Sequence, residues 1–99
     1  MLVHSVYFWL KSSLSEEQVA AFRKGVETLG EISHAKAVYV GTPADTPERP
    51  VIDNSYTIAL TVLLESLELH DAYQDDPIHL AFVQKFSSYW ERLVVYDAE

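Results

Sequence analysis

Residues 2–10 read "LVHSVYFWL". β-Branched and aromatic side chains crowd this run, which is the composition of a strand. Side chains alternate along a strand, so His4, Val6, Phe8 and Leu10 share one face, and Val3, Ser5, Tyr7 and Trp9 the other. Both faces carry large apolar groups, and both therefore need cover. Such a strand belongs in a sheet with helices on one side and a partner on the other.

The next segments supply that setting. In "SSLSEEQVAAFRKGVETLG" (12–30), Ser15 and Gln18 have capping-box spacing, and Glu16 and Glu17 suit the positive end of a helix dipole. Val19, Phe22, Val26 and Leu29 form one apolar stripe, with Gly30 as a stop. Gly25 inside this helix costs roughly 1 kcal/mol relative to alanine, which suggests close packing there. "AKAVYVGT" (35–42) reads as a second strand. The loop "PADTPERPVIDN" follows, and its three prolines exclude a helix or central strand. "SYTIALTVLLES" (55–66) is a third strand. A short helix runs from Ser66 to about Tyr73, and a second starts at Pro77, a residue tolerated in a first turn. "RLVVYDA" (92–98) closes the chain as a fourth strand.

The fold class is therefore α+β, with β-α-β-β-α-β order, a ferredoxin-like protomer carrying a four-stranded antiparallel sheet. The 99 residues fit one domain, 1–99. Helices on one face leave the other bare, with Val3, Tyr7, Trp9, Ala59, Thr61 and Leu63, joined by Leu93 and Val95 of the last strand. An apolar face of this kind predicts a homodimer through the sheet.

Composition removes several function classes. Seven basic and fifteen acidic residues give a formal charge of -8, so there is no basic surface for nucleic acid or for an anionic membrane. The start "MLVHSVYFWLK" lacks a positive first segment and a cleavage site, and is too short to span a bilayer. A cytoplasmic protein is the expectation. The chain has no cysteine, which removes disulfides, thiolate metal sites and cysteine nucleophiles. Phosphate loops, nucleotide fingerprints and nucleophile elbows are likewise missing.

Three stretches, "MLVHSVYFWLK", "SYTIALTVLLES" and "YQDDPIHLAFVQKFSSYWERLVVYD", resemble the stress-responsive A/B-barrel domain family. Its strongest element is a tyrosine, then P-x-H, then an aromatic-rich helix running into the final strand. The resemblance implies a dimeric α/β barrel of two ferredoxin-like protomers packed sheet to sheet. The family includes plant stress proteins and a plant polyketide cyclase with a pocket between helices and sheet. By that likeness His79, Tyr73 and, on the first strand, His4 correspond to the cyclase's pocket residues. A third-strand histidine of the cyclase is replaced here by Ile58, a departure that bears on substrate.

The residues themselves give His79 two readings. Phe82, Val83, Phe86 and Trp90 follow it at helical offsets that fall within about 60° of its direction, so it faces inward. There it is either a general base or a core histidine bonded to Tyr73 or to a backbone carbonyl. Tyr73 is either an oxyanion donor at the pocket mouth or a core tyrosine. His4 is either a third pocket group or a structural residue. His34 and His70 read as solvated. Asp75, Asp76 and His79 offer metal-ligand types, but Asp76 before Pro77 reads as a helix cap and no metal is expected. Tyr7, Trp9, Tyr89, Trp90 and Tyr96 suit either a flat ligand or a packed interface.

Three functions fit these features. The first is cofactor-free acid/base chemistry (a cyclase, isomerase or lyase) on a small carbonyl or aromatic compound. The second is a non-catalytic stress-associated or ligand-binding protein. The third, by fold analogy, is a cofactor-free monooxygenase. An open pocket with His79 and the Tyr73 oxygen in hydrogen-bond contact would favour the first. A pocket filled by Phe22, Phe82 and Phe86 would favour the second.

Overall fold

The computed structural model describes residues 1–99. Strand β1 (Leu2–Leu10) leads into α1 (Glu16–Glu27), which tightens into a 3₁₀ turn at Thr28–Glu31. Strands β2 (Ala37–Gly41) and β3 (Ile58–Leu64) follow, then α2 (Leu67–Asp75), α3 (Pro77–Phe86), a second 3₁₀ turn at Ser87–Tyr89, and β4 (Trp90–Ala98). All pairs are antiparallel, in the sheet order β2-β3-β1-β4. No helix is long and apolar enough to cross a membrane.

The caps form where the side chains allow. Ser15 Oγ accepts from Gln18 N at 3.1 Å while Gln18 Oε1 accepts from Ser15 N at 2.8 Å, a complete capping box. Asp76 caps α3 by accepting from Ile78 N at 2.9 Å, with Pro77 in the first turn. Helix α2 runs two residues past Tyr73, and β4 begins at Trp90, two residues earlier than its apolar run suggests. Trp90 pairs with Leu10 across a bulge next to Trp9, which extends the ladder backwards.

The core lies between the helices and the even-numbered face of β1. Leu2, Val6, Phe8 and Leu10 meet Ile58, Leu60, Val62 and Leu64 of β3, with Phe22, Val26 and Leu29 above them. Phe22 is fully buried, its ring 5.1 Å from Phe8 and 5.6 Å from Phe86. Gly25 shows why a glycine sits in α1: a Cβ there would overlap Cε2 of the buried Phe86 ring. Gly25→Ala gains up to about 1 kcal/mol of helix propensity but overpacks the core at a cost of about 1–3 kcal/mol. The difference is a net loss of up to about 2 kcal/mol, which thermal unfolding should show as a melting point lower by up to roughly 15 °C.

One face assignment is corrected. Leu93 pairs with Phe8 and Val95 with Val6, so both point to the helix side and not to the bare face. The outer face of β4 carries Arg92, Val94 and Tyr96, opposite Trp9, Tyr7 and Ser5. "RLVVYDA" has apolar residues of both parities, and only its pairing with β1 decides between them. The outer face is aromatic: Tyr7 lies 5.1 Å from Tyr56 and 6.2 Å from Tyr96, and the Arg92 guanidinium sits 4.2 Å from the Trp9 ring. Tyr89 and Trp90 instead pack against Phe22 and Phe82 on the helix side.

Candidate functional site

The helix layer stops short of β4, and there a cavity of about 210 Å³ opens between sheet and helices. Its walls are mainly apolar, Phe8, Leu60, Phe82 and Trp90 among them, and its mouth carries Leu93 and Val95. Its polar side chains are His4, Gln74 and His79. A larger depression of about 470 Å³ lies between α1 and α3, but its ionisable groups are only Lys24 and Lys85. Phe22 and Phe86 stand behind the smaller cavity and leave it unfilled.

His79 reaches this wall because Asp76 and Pro77 start α3 two residues before it. Its Nδ1 is buried without a hydrogen-bond partner. Burial first, and then the neighbouring His4, lower its pKa below the ordinary 6.5; the Gln74 carbonyl and Asp76 act in the opposite direction. The imidazole is thus neutral at neutral pH and able to accept a proton.

His4 is 4% exposed on the core face of β1. Its Nδ1 lies 2.5 Å from Oδ1 of Asp97, the residue opposite it on β4. A carboxylate only accepts, so Nδ1 carries the proton and donates it. In the neutral ring Nε2 is then an acceptor, 3.4 Å from the Gln74 amide nitrogen. Asp97 escaped the sequence reading because only the β1/β4 register connects residues 93 apart.

Tyr73 is fully buried, and its hydroxyl has no partner. Its ring lies 5.2 Å from that of His79 and 6.0 Å from that of His4, but it does not line the cavity. The hydrogen bond envisaged between its oxygen and His79 is therefore not made. Burial raises its pKa, so the phenol stays protonated at any working pH.

His70 is also corrected. It is not solvated: its side chain is only 16% exposed, and its ring stands 5.1 Å from that of His4. His34 is half-buried after the first 3₁₀ turn and lies apart from the cavity.

A family model for the stress responsive A/B barrel domain matches residues 2–99. The chain is similar to olivetolic acid cyclase of Cannabis sativa, 30% identical over 95 residues that span 95% of this chain and 91% of the relative. Hydroxynitrile lyase from Passiflora edulis superposes with a TM-score of 0.79 at 24% identity, covering 98% of this chain and 90% of that one. A dimeric ferredoxin-like protein of unknown function from Thermobifida fusca gives 0.79 at 19% identity, covering 98% and 88%. At such identities the two structures speak for the ferredoxin-like fold alone.

Proposed function

The chain belongs to the stress-responsive A/B barrel domain family, and on that premise we propose a homodimer in which each protomer carries out cofactor-free acid/base chemistry on a small, neutral carbonyl or aromatic compound. The observation that carries the reading is His79: an imidazole kept neutral by burial, on the wall of an otherwise apolar cavity. A base so placed removes a proton from carbon next to a carbonyl, and the charge moves to the carbonyl oxygen as an enolate. The Gln74 amide, also on the wall, is the donor available to that oxygen. The imidazolium then returns the proton, to carbon in an isomerisation or to a leaving group in a lyase. A cyclisation uses the same enolate as an intramolecular nucleophile.

His4, oriented by Asp97, places a second imidazole at the cavity and disfavours protonation of His79. Tyr73 packs against the His79 ring and holds it from behind the cavity wall. Because Tyr73 stands off the lining, it also favours a second reading, ligand binding without turnover. The named activity of the 30% identical relative, a cyclase, supports the first reading. The cavity volume suits a compound of modest size, and its lining offers no cation to pair with a carboxylate.

The pH–rate profile tests the proposal. For a turned-over substrate, kcat/KM should be flat around neutrality and fall on acidification with an apparent pKa below 6.5. Stability should follow the same group. The unfolded chain takes up the His79 proton near 6.5 and the folded chain only at lower pH, so the neutral side chain's contribution is lost as pH falls below 6.5. A limb at or above 6.5 that moves with His79→Gln, or no acid limb, would contradict the assignment. Binding of a neutral ketone without turnover at any pH would select the second reading.

A further inference from the structure

We propose that His4, His70 and Asp97 form a binding site for a borderline divalent ion, Zn²⁺ above all. The three come from separate elements, the start of β1, the second turn of α2 and the end of β4. Their ligand atoms all lie within 4.8 Å of one another.

The protonation pattern points to a cation. His70 Nδ1 lies 3.1 Å from Oδ1 of Asp71, and that carboxylate can only accept. Nδ1 therefore carries the proton, and in the neutral ring Nε2 is a bare lone pair. That lone pair is buried, has no hydrogen-bond partner, and faces Asp97 Oδ2 at 3.9 Å. Two acceptors facing each other repel unless a proton or a metal cation stands between them. Zn–N and Zn–O bonds of about 2.0–2.2 Å sum to about 4.2 Å. An ion thus fits between Nε2 and Oδ2 at a bent angle, with little movement of either.

His4 completes the set. When the ion takes Nδ1, the ring's single proton, now donated to Asp97, moves to Nε2 by a change of tautomer. That N–H meets the Gln74 side chain, whose amide can turn to present its oxygen. The Asp71–His70 contact is the outer partner that fixes a metal-binding histidine's tautomer. Two imidazoles and one carboxylate suit Zn²⁺, Cu²⁺, Ni²⁺ or Co²⁺ and are poor for Mg²⁺ or Ca²⁺. Asp97 is partly exposed, which gives the ion an entry, and no cysteine competes for it.

Chelator-stripped protein titrated with Zn²⁺ in a calorimeter should take up one ion per chain. Co²⁺ should give the visible bands of a low-coordinate N/O site. His70→Leu keeps the apolar packing and should weaken Zn²⁺ binding by more than the roughly 10- to 100-fold typical for loss of an outer-shell partner. Asp71→Asn should fall within or below that range, and His34→Ala should bind as wild type does. Circular dichroism confirms that each variant is folded. No saturable uptake at micromolar Zn²⁺, or equal uptake by folded His70→Leu, would overturn the site. The readout is binding alone, so its failure and the failure of the proton-transfer reading are told apart.

Discussion

Replacing His79 by alanine should lower kcat by about 10²–10⁴-fold, the range a positioned general base supplies. The expectation follows from two structural facts. His79 is the cavity group whose basicity burial and His4 jointly hold down, so it is unprotonated when a substrate arrives. Asp97, the nearest carboxylate on the wall's His4 side, is already engaged by His4 and is no substitute. The measurement is turnover of a small ketone or enol by wild type, His79→Ala and His34→Ala, with a thermal melt of each. His34 lies outside the cavity, and its variant should keep full activity. Full turnover by folded His79→Ala would reduce the histidine to a packing residue.

Tyr7→Asp should break the proposed dimer. Tyr7 stands at the centre of the outer face, between Tyr56 and Tyr96, where a sheet-to-sheet interface would bury it. Loss of a buried aromatic anchor costs about 2 kcal/mol or more, and the unpaired carboxylate adds a desolvation penalty. A two-fold interface meets the change twice. The total of at least about 4 kcal/mol corresponds to nearly a thousandfold in dissociation constant. Sedimentation at micromolar concentration should find a wild-type dimer and a Tyr7→Asp monomer. A monomeric wild type, or a variant that still dimerises, would refute the interface.

Local chemistry made much of the fold legible. The Ser15–Gln18 box, the alternation of β1 and the Asp76–Pro77 start of α3 are short-range features, and each appears where the residues placed it. The inward aim of His79 follows from the last of these. What stayed hidden depends on long-range register. Leu93 and Val95 lie on the helix side; the sequence suggests the bare face because both parities of their strand are apolar. Asp97 meets His4 only through strand pairing across the whole chain. His70 reads as solvated because α2, nine residues long, is too short for its periodicity to define a face. Its buried side is created by β1 and β4, which are remote in sequence. Tyr73 was correctly inward, but whether it lines the cavity or lies behind it depends on the helix's rotation against the sheet.

The cavity should admit a small neutral ligand against His79. NMR of the histidine ring carbons, recorded while cyclohexanone, acetylacetone and phenol are titrated in, tests this directly. For at least one of them the His79 signal should shift and saturate while His34 stays still. A His79 signal unmoved by every compound, or moving only in step with His34, would show that no ligand seats against it.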